Sequence, residues 1–381
     1  MPEGIISFKC PFLYKDSAEG TANYEKVFSK VANAKDEMMV GQLKEIALRR
    51  SQLADALKTI TPASSIAQLD AAQKTVEETI PFLYAVAQAV EKNPNVKRVG
   101  KLVFTWVSAC EAKNEVKMCE NAWSDVGMAV VSLAILHAFR ANQMLETTVT
   151  REEFVESGGK SSAAEFRCAA GVMDELIKVI LPHIKEEGSY PPELQTTVAT
   201  SMRDIFIAEG LQVTIKKAVE DGTPLNVVAK LAAGVEEKYR DAETTLSTAL
   251  KLIETMSPVV QPFVKYHKIF FKAHAHHIMA QHLYKKSKIG LSVAHLKVSL
   301  SLLNNGIDAH QKEVKKAGLD GKYQRELEEV ARIHGKYENE NSHVQYEKVP
   351  PAAQLDPIES KVILPLTEYK MPEPAFELKL E

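Results

Sequence analysis

Apolar residues recur every three or four positions through most of this chain, a period that predicts a stack of long helices. Leu43, Ile46, Leu53 and Leu57 mark a helix over 37–57, and the pattern resumes over 66–90. Further helices are expected near 96–115, 119–143 and 161–185. After Pro191-Pro192 another spans about 193–219 and ends at Asp221-Gly222; Pro224 then opens the next in the favoured first-turn position. That next helix carries the longest stripe, Val228, Leu231, Val235, Tyr239, Ala242, Leu246, Leu250 and Ile253, and a face of this kind must be buried. Helices over 262–285 and 289–315 and a polar one over 322–340 complete the series.

Two short segments, 5–12 and 361–366, read as extended and suit a small peripheral sheet. From Val349 onward proline recurs at Pro350, Pro351, Pro357, Pro365, Pro372 and Pro374, which excludes a regular helix. Leu355, Ile358, Val362 and Ile363 give this segment apolar residues to lay on a surface, so it reads as an extended strap across the helices. The expected fold is mostly all-α. Residues 1–348 form a solenoid-like array with short N-terminal strands, in which each helix pair buries its face on the next and the array acquires curvature. Residues 349–381 form the strap, and residues 1–381 are read as a single domain.

The composition, 45% hydrophobic and 25% charged over 381 residues, is that of an ordinary soluble globular protein with material for a large core. A net charge of −3 excludes the dense basic footprint that general nucleic-acid binding requires. Cys10, Cys110, Cys119 and Cys168 contain no C-x-x-C and are too few for a disulfide framework, so they read as reduced, mostly buried thiols of a cytosolic protein. The amino terminus lacks the basic and apolar regions of a signal peptide, and no apolar run approaches the span of a bilayer. Membrane contact is therefore expected to be peripheral.

Charge is distributed unevenly. From Thr255 to Ile307 there is no Asp or Glu, although the chain holds 50 acids, and the segment carries Lys265, Lys268, Lys272, Lys285, Lys286, Lys288 and Lys297. Such a segment is either a cationic surface for an anionic partner or a face neutralised by acids from elsewhere. It also holds His267, His274, His276, His277, His282 and His295. His267, His274 and His277 could share one helix face, but no carboxylate or cysteine lies in the segment and no H-E-x-x-H occurs, so neither metal nor cofactor is expected. A pH-sensitive basic face is the better reading of these histidines. The Gly-Gly-Lys-Ser-Ser run at 158–162 has Phe154 where a phosphate loop needs glycine, and it reads as a helix-initiating turn. No nucleophile, dinucleotide or protease motif supports catalysis.

Several stretches carry a family likeness. YHKIFFKAHAHHIMAQHLYKKSKIGLSVAHLKVSLSLL, from Tyr266 to Leu303, resembles the alanine-rich helix, basic break, Ile-Gly and leucine-bearing second helix of the Bro-one domain. Phe104-Thr105-Trp106, Phe166 with Ala169-Ala170-Gly171, and Val228-Ala229-Lys230-Leu231 match further pieces in order and spacing. Val349-Pro350 and Leu355-Asp356-Pro357-Ile358 resemble the closing strap. The chain is thus similar over nearly its full length to the helical module of ALIX-type adaptors, which serve the ESCRT membrane-remodelling machinery.

That resemblance implies a curved, banana-shaped helical array with a small sheet. It also implies a non-catalytic, cytoplasmic adaptor, recruited to endosomal or other membranes, that binds the amphipathic C-terminal helix of ESCRT-III subunits in a groove. The family's apolar patch maps onto Val227 and Leu231, with Gln212 where an aromatic residue is expected. Leu231 belongs to the apolar stripe as well, so it serves either core or groove; Leu296 and Leu300 border the groove or fill the core. The alternative from a different class is a lipid-binding module, with Lys265, Lys272, Lys285, Lys286 and Lys288 set against anionic lipids or acidic partner residues. A metal-dependent enzyme built on the histidines is the third and weakest reading.

Overall fold

The computed structural model describes Tyr24, Phe28 and residues 37–93, 102–113, 115–148, 150–184, 190–250, 256–316 and 318–378. Within them the long helices are α1 (Glu37–Lys58), α2 (Ile66–Lys92), α3 (Ala122–Thr147), α4 (Gly159–Glu175), α5 (Thr196–Glu220), α6 (Leu225–Leu250), α7 (Val260–Lys285), α8 (Ile289–Lys316) and α9 (Asp320–Glu340). Each packs chiefly on its neighbours in chain order, from α1 on α2 to α8 on α9, which is the expected stack. The helix expected over 161–185 continues beyond α4 as a π turn, Leu176–Ile180, and a 3-10 turn, Leu181–His183.

The reading of 96–115 as a helix is overturned. Strands β1 (Phe104–Val107) and β2 (Val116–Cys119) pair antiparallel there, with Phe104 opposite Cys119 and Val107 opposite Val116. Phe104 and Trp106 alternate onto one buried face, as strand geometry dictates. A polar knot fixes that face: Trp106 Nε1 donates to Asp125 Oδ1 at 2.7 Å, Arg50 Nε donates to the same oxygen at 3.0 Å, and the Arg50 guanidinium lies 4.5 Å from the Trp106 ring centroid. So short an apolar run has no period that separates strand from helix. Of the two segments expected to be extended, 5–12 lies outside the described residues. Residues 361–366 are extended but form no ladder, because only helix surface lies beneath them and Pro365 has no N–H to give.

Helix α3 corrects the expectation that no apolar run approaches a bilayer span. It is long and apolar enough to cross a membrane, yet its whole apolar window is buried. With α2 on one side and α4 on the other, it is a core helix. Its start is fixed by Asn121, whose side chain accepts from Trp123 N at 2.9 Å.

The strap runs over the helices and touches them backbone to backbone. Lys361 N donates to Lys230 O in α6 at 2.9 Å, Thr367 N to Arg167 O in α4 at 3.2 Å, and Ala375 N to Pro81 O in α2 at 3.1 Å. Such close approach needs helix positions without a Cβ. A Cβ added to Gly234 would lie 2.5 Å from Lys361 O, one on Gly290 would lie 2.5 Å from Lys348 O, and one on Gly171 would overlap Thr367 O. Ile358, Leu364, Leu366, Tyr369, Met371 and Phe376 pack against the core, whereas Val362 and Ile363 face solvent. Gly171→Ala is expected to unseat the strap near Thr367 and to lower stability by about 1–3 kcal/mol, as overpacking does. Urea unfolding and the rate of proteolysis within 349–378 measure this; unchanged values would show that the contact contributes nothing.

Candidate partner-binding surfaces

The α5–α6 hairpin places the expected groove residues. Helix α5 closes with Thr223 N donating to Ala218 O at 2.8 Å and Gly222 N to Val219 O at 3.1 Å, around Gly222 at φ +71°. This left-handed closure favours glycine. Pro224 O then accepts from Val227 N at 2.9 Å, which sets Val227 in the first turn of α6, half-buried, close in sequence to the half-buried Leu225 and Val219. One turn further, Leu231 is 1% exposed. Gln212 and Leu296 are equally deep in the core, and Leu300 is half-buried against it. The structure therefore brings Val227 and Leu300 to the surface, whereas Gln212, Leu231 and Leu296 face inward, because the α6 stripe and its α5 and α8 counterparts are what hold neighbouring helices together.

Burial of Gln212 has a chemical reason. Its Nε2 donates to Tyr239 Oη at 2.8 Å, and the Tyr239 hydroxyl donates to Glu209 Oε1 at 2.5 Å. Burial pushes Glu209 up to about 7, against the Tyr239 hydrogen bond and the nearby Lys322 of α9. Burial pushes Lys322 down to about 8, with Glu209 opposing. A polar chain thus occupies the place where an aromatic residue was expected.

In the acid-free segment, acids from other helices neutralise much of the charge. Lys268 pairs with Glu243, Lys297 with Glu338 at 2.8 Å and Lys265 with Glu313 at 3.9 Å, while Lys272 lies within electrostatic reach of Glu236. The pH-sensitive histidine face is not formed. His267 donates through Nδ1 to Phe263 O at 2.8 Å, and burial, then Lys322, push it down to about 3. Burial likewise pushes His276 and His295, with Nδ1 atoms 2.9 Å apart, down to about 4. His274 and His277 turn inward to Glu326 of α9, with Nδ1 atoms 2.8 and 2.7 Å from Oε1. Burial pushes Glu326 up, but the two imidazoles outweigh it and hold the carboxyl well below its usual range. This carboxylate, absent from the sequence neighbourhood of the histidines, is the residue that sequence reasoning missed.

What remains cationic is one turn. Lys285, Lys286 and Lys288 are exposed between α7 and α8, beside His282, which burial and these lysines push down. Lys288 N donates to Leu283 O at 3.0 Å and Ser287 N to Tyr284 O at 2.9 Å, the closure seen at Gly222 but with Ser287 at φ +56°. At the start of α8, Gly290 N donates to Glu347 Oε2 at 2.7 Å, which ties this end to the beginning of the strap.

The family model of the BRO1-like domain matches residues 49–376, which include the α5–α6 hairpin, the lysine turn and most of the strap. The chain belongs to the BRO1-like domain family. Similar proteins include the pH-response regulator protein palA/prr-1 of Neurospora crassa, 27% identical over 66% of this chain and 28% of that protein. Another is the ALG-2 interacting protein X of Dictyostelium discoideum, 27% identical over 57% of this chain and 27% of that protein. The chain thus spans under a third of the length of either relative. Among solved structures, the ALIX BRO1 CHMP4C complex superposes with a TM-score of 0.72 over 95% of this chain and 96% of that chain, at 15% identity. A structure described as the basis for endosomal targeting by the Bro1 domain gives 0.68 over 96% of this chain and 93% of that one, also at 15%. The BRO1 fold is therefore shared where side chains have largely changed.

Three substitutions probe this BRO1 domain. Tyr239→Phe leaves Glu209 and Gln212 without their shared hydroxyl and is expected to destabilise by about 1–3 kcal/mol in denaturant titration. Glu209 has a raised folded value, so its contribution is full below the ordinary glutamate range and is lost as pH rises through about 7; Glu209→Gln should remove that pH dependence. Ser287→Gly relieves a left-handed serine and should stabilise by about 1 kcal/mol; an unchanged midpoint would show the strain to be absent.

Proposed function

We propose that this chain is a non-catalytic, cytoplasmic ESCRT-associated adaptor that binds the C-terminal amphipathic helix of ESCRT-III subunits in endosomal, multivesicular-body sorting and membrane remodelling. Family membership supports this reading, and the observation that carries it is the likeness of nearly the whole chain to a BRO1 domain whose structure is a complex with CHMP4C. An amphipathic helix is held by a few apolar anchors, and residues four apart on a helix share one side. In α6 that side descends from half-buried Val227 to buried Leu231, so Val227 is the surface anchor and Leu231 supports it from the core. Gln212, further along the hairpin, positions α5 against α6 through Tyr239.

A second reading, peripheral binding to anionic lipids, is favoured by Lys285, Lys286 and Lys288, three exposed lysines in one turn with no acid among their sequence neighbours. Lys265 and Lys272 contribute less to it, since acids of other helices already face them. Each lysine close to an anionic surface is worth about 1 kcal/mol. The two readings can operate together, one fixing the membrane and the other the protein partner.

Titration with labelled C-terminal helix peptides of ESCRT-III subunits tests the first reading. Val227→Asp, folded by circular dichroism, is expected to weaken binding at least about tenfold, or about 1.4 kcal/mol. Reversal of Lys285, Lys286 and Lys288 to Glu should leave peptide binding in place and abolish flotation with phosphatidylserine vesicles. Failure of the parent to bind any such peptide would remove the adaptor reading; flotation of the reversed variant would remove the lipid one.

A further inference from the structure

We propose that His274 and His277 of α7, with Glu326 of α9, form a buried binding site for a divalent cation of the zinc class, which clamps the last long helix onto the array. The two histidines are three residues apart and so project to one side of α7. One ring nitrogen of each histidine and a Glu326 carboxylate oxygen all lie within 4.8 Å of one another, and all three side chains are buried. Two imidazole nitrogens and one carboxylate oxygen are a ligand set that zinc accepts, with three protein ligands and a fourth position left for water. Zinc bonds of about 2.0–2.2 Å in a tetrahedron place ligand atoms roughly 3.4 Å apart. The Nδ1 to Oε1 distances here, 2.8 and 2.7 Å, need to open by only roughly half an ångström.

The surroundings suit a metal-bound imidazole. A ligating histidine donates its other ring N–H to a fixed acceptor, which sets the tautomer and the ring orientation. Gln281 holds its side-chain amide 2.8 Å from His277 Nε2, and turning that amide over presents its carbonyl oxygen to an Nε2–H. His274 lies nearly parallel to the Phe270 ring, at 11° with centroids 6.0 Å apart, so its plane is also constrained. Of the cationic residues near these ligands in sequence, Arg325 and Lys272 are exposed, and the buried Lys322, one turn before Glu326, has its charge directed to Glu209. In binding, the proton on each Nδ1 moves to Nε2 while the carboxylate stays ionised, so neutral imidazoles release no proton and a protonated one releases its extra proton.

Without metal the same three side chains hydrogen-bond to one another, so the chain folds in either state and the ion adds stability. The experiment uses the full chain, stripped with a chelator and exchanged into metal-free buffer, with zinc and cobalt(II) as probes. One equivalent of metal, the visible absorption of tetrahedral cobalt and a chelator-reversible rise in Tm are expected. Glu326→Gln and His277→Gln should each abolish the cobalt spectrum. Gln281→Leu should weaken binding about tenfold. His276→Gln, which alters the separate His276–His295 pair, should leave binding unchanged. If Glu326→Gln does not fold, His277→Gln and Gln281→Leu carry the test. No stoichiometric binding by the folded parent, or binding that survives Glu326→Gln or His277→Gln, or is lost in His276→Gln, overturns the site.

Discussion

A carboxylate taken out of water must find donors, and the interior carboxylates of this chain decide how distant segments meet. Asp125 in α3 gathers Arg50 of α1 and Trp106 of β1. Glu193, just before α5, accepts from Ser108 Oγ at 2.9 Å and from the Ala109 and Cys110 amides after β1. Glu209 gathers Tyr239 of α6 and faces Lys322 of α9, and Glu326 gathers the two histidines of α7. Apolar burial between helices is non-directional. These bonds have direction, so each selects one packing among those the apolar stripes would tolerate.

The acids do not act alike with pH. Glu209 and Glu193 are raised by burial, so ionising them works against the fold as pH increases. Glu326 is depressed, so its contribution is present above the ordinary glutamate range and is lost as acid protonates it. Helix α9 carries on its buried side both Lys322, which faces the raised Glu209, and the depressed Glu326. That helix is mostly polar outside, and its docking rests as much on these electrostatic contacts as on Tyr323, Val330 and Ile333.

Much of the helical order was legible because long stripes repeat: Val228, Leu231, Val235, Tyr239, Ala242 and Leu246 are all buried along α6. The hairpin was not, since the four residues of β1 are too few to show a period. Nor was the direction of the histidines. Periodicity locates His274 and His277 on one side of α7, but Glu326 lies about fifty residues away and no spacing rule links them. The lysines of the acid-free segment needed the same long-range information, because Glu243, Glu313 and Glu338 come from outside it. Gln212 showed the limit most clearly: a departure from the expected aromatic pattern became intelligible only once its bond to Tyr239 was seen.

The strap touches the start of α8 near Gly290, crosses α6 at Lys230 and Gly234 and α4 at Arg167 and Gly171, and ends against α2 at Pro81. Extended chain has almost no slack, at about 3.3 Å per residue. The segment is therefore the string of a bow whose wood is the helical stack. Any change in the bend of the array has to slide the string over its glycine notches or lift it off one of them. The shape of a long helical surface is thereby held by about thirty residues that contribute no α-helix of their own.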